Sequence, residues 1–476
     1  MKRIALIFSV AGALALSALV LGRKATPVNS PTPIPTPPKP VTLVEPPHPI
    51  VDTPPVSSSG SLIMNWKLSD PDLALGGDRD EYLKIDLTGV DVEGQRAPMN
   101  VAIVLDLSGS MAGEKLESAR RAAHALVDRL NDKDRLAFVT FGSNVTLLFP
   151  STPCTPDAKG NMHRDIDRIY DMGGTNLSGG LEAGLRQVEA HLEGYAVNHV
   201  LLISDGEANE GITSRPGLAA ISRDALGHRV TVSAFGVGSE FDEDTMQQLA
   251  DEGGGNYRFL QTGGELGPIF DSELKQMATA VAAAPTLNLK LAPGVTATEV
   301  YGYAFDRDSN GALTIHLPDF AAGEHRKVVV QLSVPANALG GEKLVDTKLD
   351  YVDLLHGKNP VQTAFNASAN IVPNAEQASL SRDKATYAQV ARVHAAFISR
   401  KAATLYSSGD VQAAQQELTK GRNEAMEMNK VAQDPSLGAD LDRIAPAPAK
   451  LPAAPASEEG RVEAKKMKQE AYDFSR

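Results

Sequence analysis

The chain has 476 residues, enough for two or three domains with substantial cores. Its 59 acidic residues against 46 basic ones leave a formal net charge of −13, which argues against a general nucleic-acid binder. The single cysteine, Cys154, excludes an intrachain disulfide and any thiolate-pair metal or redox site; it falls in a loop-like stretch, residues 150–157, and is expected to be incidental there.

Lys2 and Arg3 precede an apolar run over residues 4–21, followed by Arg23 and Lys24. Eighteen helical residues reach ~27 Å, close to the thickness of a bilayer core. Residues 1–24 therefore read as a signal peptide, with Ala13-Leu14-Ala15 or Leu16-Ser17-Ala18 as small-residue cleavage sites, or as a signal anchor. Either way the body is expected to be exported: periplasmic or in the cell envelope, with the N-terminal segment a possible inner-membrane anchor. Residues 25–58 form a Pro-rich linker of polyproline II character, holding the Pro31-Thr32-Pro33-Ile34-Pro35 run. Residues 59–96 carry strand signals, with Leu62, Met64 and Trp66 alternating, but are too few to fold alone.

From residue 97 to 282 strand and helix patterns alternate. Strands are predicted over 100–106, 135–141, 199–204 and 230–235, and helices over 114–130, 177–192, 216–225 and 243–250. A last short strand follows Gly253-Gly254-Gly255, and residues 264–280 close as a helix. This alternation implies a parallel sheet. Two polar clusters end apolar runs: Asp106-Leu107-Ser108-Gly109-Ser110 follows residues 101–105, and Asp205-Gly206 follows 200–203. They should sit at the C-terminal ends of buried strands, where open α/β sheets bind ligands. With Thr175 in Gly173-Gly174-Thr175-Asn176 they supply only hard oxygen donors, suited to Mg²⁺, Mn²⁺ or Ca²⁺ and not to zinc or copper. Two carboxylates are too few to saturate such an ion, so it keeps its attraction for an anionic oxygen from outside. A helix predicted over 111–130 would point its N-terminal dipole at the same place, and Asp106 and Ser108 would also cap it. Asn176, Glu207 and Asn209 fall in loops expected to ring the cation.

The set Asp106, Ser108, Ser110, Thr175 and Asp205, in this order and spacing, resembles the metal-ion-dependent adhesion site of von Willebrand factor A domains. The resemblance spans residues 97–282. It implies a doubly wound, mostly parallel sheet with helices on both faces. It also implies direct metal ligation by Ser108 and Ser110, ligation by Thr175, Asp106 and Asp205 directly or through water, and a sixth ligand supplied by a partner's carboxylate.

Beyond it, residues 283–373 hold further strand signals, over 286–291, 313–317, 327–334 and 344–349. Combined with 59–96 they suggest one β-sandwich into which the α/β domain is inserted. That layout resembles bacterial A-domain proteins and inter-α-trypsin-inhibitor heavy chains. Residues 374–436 read as a helical hairpin turning at Ser408-Gly409, and 437–476 as a disordered or charged tail. The fold class expected is thus α/β, a doubly wound sheet inserted in a β-sandwich and followed by a C-terminal helical hairpin.

Asp306 to Gly311 mimics the start of an EF-hand loop, but its twelfth position is Leu317, where a bidentate Glu is needed. No Gly-x-Ser-x-Gly elbow surrounds Ser108, and the chain has no His-Glu-x-x-His and no Walker A loop. No enzyme activity is expected. The sequence leads to a binding protein that uses a divalent cation, Mg²⁺ first, to hold an Asp or Glu carboxylate of a protein partner, with no nucleic acid involved. An assembly subunit of a chelatase-like complex and a channel-regulatory protein are the alternatives.

Overall fold

A computed structural model describes residues 60–476 apart from 93–95, 172 and 196. The chain separates into residues 1–48 and 49–476, and the account below concerns the second unit. The predicted signal segment and Pro-rich linker lie outside the described residues. Among the described residues no helix is long and apolar enough to cross a membrane.

The chain opens with β1 (Leu62–Leu68), β2 (Asp72–Ala74) and β3 (Asp78–Gly89). Leu62, Met64, Trp66 and Leu68 face inward by strict alternation. The α/β domain follows as β4 (Met99–Asp106), α1 (Glu114–Arg129), β5 (Arg135–Phe141), β6 (Val145–Pro153), α2 (Pro156–Ile166), α3 (Leu177–Glu189), β7 (Val197–Ser204), α4 (Arg215–Gly227), β8 (Thr231–Val237), α5 (Glu243–Glu252), β9 (Gly254–Leu260) and α6 (Leu266–Ala278). Then come β10 (Ala280–Leu291), β11 (Thr296–Tyr301), β12 (Phe305–Arg307), β13 (Leu313–His316), β14 (Phe320–Ala321), β15 (His325–Pro335), β16 (Gly340–Asp353) and β17 (Asn359–Val372). The helices α7 (Ala375–Ser379), α8 (Lys384–Ser407), α9 (Val411–Ala432), α10 (Leu437–Ile444) and α11 (Glu458–Ser475) end the chain.

The α/β domain is a six-stranded sheet of order β6-β5-β4-β7-β8-β9, parallel except for the antiparallel edge strand β6. Strands β4 and β7 are buried at every position, as a sheet covered on both faces requires. The chain winds outward from β4 to β5 and returns on its other side with β7, so the order reverses between β4 and β7. Gly180 and Gly184, one turn apart, let α3 lie against this sheet; a Cβ there would stand 2.5 Å from Phe141 and 2.3 Å from Val104.

The sandwich joins strands from both sides of the insertion. One sheet runs β1-β3-β15-β11 and the other β12-β13-β10-β16-β17-β2, around a core in which Trp66 stacks on Phe365 at 5.2 Å. Entry and exit of the insertion are tied by Ala97 N donating to Ala278 O at 3.1 Å. The α8–α9 pair is the expected hairpin, reversing at Ser408-Gly409 with φ +93 at Gly409.

Three expectations need correcting. Residues 437–476 are not a disordered tail: they contain α10 and α11, and α11 buries Ala464, Met467, Ala471 and Tyr472. Its charged lysines are not simply solvated, since Lys468 donates to Asp244 at 2.8 Å and Lys465 to Phe241 O at 2.9 Å. Cys154 does lie in the loop between β6 and α2, but it is not incidental there: it is buried in the α/β core, its thiol pushed up to about 12 by burial. Strand β6 and helix α2 were not predicted at all: Pro150 and Pro153 mask an edge strand, whose outer side needs no donors.

Candidate functional site

The parallel register sets Leu105 opposite Ile203, so β4 and β7 end side by side at the point where the strand order reverses. Asp106 closes β4, and Asp205 follows Ser204 at the end of β7. Both carboxylates are fully buried by residue exposure.

Between them the backbone turns sharply. Asp106 Oδ1 accepts from Ser108 N at 2.8 Å, and Oδ2 accepts from Ser204 Oγ at 2.5 Å. A short 3₁₀ turn, Gly109–Met111, swings Ser110 back over the strand ends, and α1 starts only at Glu114, behind Gly113 at φ 77. The helix expected from residue 111 is thus shorter, and Asp106 and Ser108 fold their own turn and do not cap α1: Gly113 is its N-cap, with no side-chain cap bond.

The predicted donors converge. Ser108 Oγ lies 3.0 Å from Ser110 Oγ, and Ser110 Oγ donates to Asp205 Oδ1 at 2.7 Å, with Ser108 Oγ 3.4 Å from the same oxygen. Gly206 locates Thr175 among them. A Cβ built on that glycine would meet Thr175 Oγ1 at 3.4 Å, Ser110 Oγ at 3.7 Å and Ser108 Oγ at 3.8 Å, so the three hydroxyls share one cradle. Thr175 is pinned from both sides: its N–H donates to Asn209 Oδ1 at 2.9 Å and its carbonyl accepts from Asn209 N at 3.1 Å.

Asn209 therefore positions a donor from behind, and Asn176 caps α3 by accepting from Gly179 N at 3.0 Å. Glu207 is exposed. The loop carrying Thr175 is held by Ser143 N donating to Gly173 O at 2.5 Å, and by Gly174 at φ +74, where a Cβ would run into Ser143 and Glu210.

The electrostatics of the site centre on its two buried carboxylates. Burial pushes the Asp106 carboxyl up to about 6, against the Ser204 hydroxyl and the Ser108 amide, which favour its charged form; the Asp205 charge raises it further. A cationic group already touches the cradle, because the Lys115 ammonium donates to Asp205 Oδ2. Three hydroxyl oxygens in one cradle over two buried carboxylates match the hard-oxygen donor set that a divalent ion would take. Among the described residues no group of three or more His, Cys, Asp or Glu side chains is placed to hold a metal ion. Two participants escaped the sequence reading. Ser204 was visible beside Asp205, but its bond to Asp106 crosses strands; Lys115 lies in the first turn of α1, past the break at Gly113, and nothing local marks its target.

Comparison with known proteins agrees with this geometry. The family described as von Willebrand factor type A domain matches residues 100–271. The uncharacterized protein YfbK of Escherichia coli (strain K12) is 29% identical over 281 residues, 56% of this chain and 47% of that protein. Human inter-alpha-trypsin inhibitor heavy chain H3 is 28% identical over 164 residues, 33% of this chain and 18% of that one. The chain thus spans about half the length of the bacterial relative and less of the human one. A solved von Willebrand factor type A protein from Catenulispora acidiphila shares the fold with a TM-score of 0.66 at 17% identity, over 87% of this chain and 97% of that one.

Proposed function

We propose, for a chain whose residues 100–271 are a von Willebrand factor type A domain, that it is an exported binding protein which grips a partner protein's carboxylate through a divalent cation. Domains of this family commonly mediate protein–protein interactions. The hydroxyls of Ser108, Ser110 and Thr175 would hold the ion, with Asp106 and Asp205 ligating it directly or through water. Mg²⁺ is the first choice, with Mn²⁺ or Ca²⁺ able to serve. The cation supplies an electrophile for an anionic oxygen. The protein supplies the rest: Ser204 and the Ser108 amide orient Asp106, and Asn209 orients Thr175. No catalytic step is assigned to it.

The observation that carries this reading is the common cradle of three neutral hydroxyls over two buried carboxylates. Neutral donors leave the ion's charge incompletely quenched, which is what a carboxylate ligand requires. Export to the periplasm or cell envelope rests on the basic-apolar segment of residues 1–24. The test is capture of envelope proteins by the wild type and by Asp106→Ala, each with Mg²⁺ and with excess chelator. Partners should be retained only by the wild type with Mg²⁺. Equal capture in chelator, or by the variant, would reject the reading.

A further inference from the structure

We infer that Lys115 sets the charge of this site, weakening its hold on the cation so that the loaded site binds an anion more strongly. The inference rests on the function proposed above. One carboxylate is shared between two tasks. Asp205 Oδ1 faces the hydroxyl cradle, accepting from Ser110 Oγ at 2.7 Å, while Oδ2 accepts from the Lys115 ammonium. The Asp205 side chain is fully buried and that of Lys115 is 29% exposed, so the lysine reaches inward from α1 to a charge that water does not reach.

Its path is built for it. A Cβ on Gly238, at the end of β8 with φ +79, would stand 3.2 Å from Lys115 Nζ and 3.3 Å from its Cε. On the other side, a Cβ on Gly263 would stand 3.1 Å from the lysine Cα. Among the described residues Asp106 is met by neutral donors instead, the Ser204 hydroxyl and the Ser108 amide.

The consequence is one of charge. A divalent ion between two carboxylates is formally neutralised. The ammonium on one of those carboxylates leaves the loaded site with one positive charge in excess. Beside a buried group that charge is poorly screened, so it repels the metal and attracts an incoming anion. A residue that only held Asp205 in place would help both.

The experiment measures both affinities on the full chain. Mn²⁺ is titrated first, followed by electron paramagnetic resonance of the free ion. Acetate is then titrated against the Mn²⁺-loaded protein, followed by water-proton relaxation. For Lys115→Met, Mn²⁺ should bind about tenfold tighter and acetate about tenfold more weakly, the order expected of one nearby charge. Lys115→Arg should restore wild-type values, and thermal unfolding should show that both variants are folded. If both affinities fall together, or neither moves, the inference is overturned while the cation site stands. If the wild type takes up no Mn²⁺, the proposed function fails, and the inference with it.

Discussion

At the scale of single residues, the clustering of the candidate donors was readable because most of them follow one another along the chain. Asp106, Ser108 and Ser110 occupy one turn, and Asp205 and Gly206 another, each after an apolar run whose strand nature was plain. What crosses between elements was not readable: Ser204 on Asp106, Lys115 on Asp205, Asn209 on Thr175. Gly180 illustrates the same limit. In sequence it is a weak helix former, yet in the fold it is the point where α3 meets Phe141, 2.5 Å from any added Cβ. Gly180→Ala should raise helix propensity and still destabilise the protein by about 1–3 kcal/mol through overpacking, measured by urea unfolding.

His199, in the central strand β7, is buried and held down to about 3 by loss of solvation, from an ordinary 6.5. Its Nε2 bonds Ser233 Oγ at 2.9 Å and its Nδ1 has no partner. A depressed basic group is neutral when folded and takes a proton on unfolding. Its contribution is therefore complete above pH 6.5 and is lost as the pH falls toward 3. Unfolding free energies measured between pH 4 and 8 should fall more steeply with acid in the wild type than in His199→Gln, by up to about 1.4 kcal/mol per pH unit. Parallel curves would show that His199 is not the acid-sensitive group.

At the scale of elements, α11 shows why a segment rich in Lys and Glu can be misread. Its apolar residues are sparse among lysines and glutamates, which reads as a charged tail. Its stability comes from partners far away in sequence. Tyr472 packs edge-on against Tyr257 at 5.8 Å and accepts from Tyr257 N at 3.1 Å. Arg476 pairs with Asp251, lies 4.7 Å over the Tyr303 ring and donates to Gly302 O at 2.9 Å. Through these contacts α11 joins the α/β domain to the sandwich. Tyr472→Ala should cost about 3 kcal/mol, read by chemical unfolding. Wild-type stability in that variant would show that the helix does not couple the two. The edge strand β6 and the helix α11 share one lesson: elements lacking a strong periodic apolar stripe are specified by what they pack against.

At the scale of the molecule, the insertion was legible because strand signals lie on both sides of the α/β region, and neither set alone could close a sandwich. The pairings were not, since β2 joins β17 in parallel across the whole insertion. The insertion point lies at the start of β4 and the site at its end, so about 23 Å of strand separates the sandwich from the hydroxyl cradle. A partner held at the cradle would meet the C-terminal ends of the central strands, away from the sandwich. Any ion that binds only the folded state adds stability by mass action, about 2.7 kcal/mol at one hundred times its dissociation constant. Mn²⁺ should thus raise the unfolding temperature of the wild type and leave that of Asp106→Ala unchanged.

The most direct test of the proposed cation site is titration calorimetry of Mg²⁺ and Mn²⁺ into the full chain, wild type beside Asp106→Ala. One ion per chain should bind the wild type, and none should bind the variant. No uptake by the wild type, or equal uptake by both, would contradict a cation held by Ser108, Ser110, Thr175, Asp106 and Asp205.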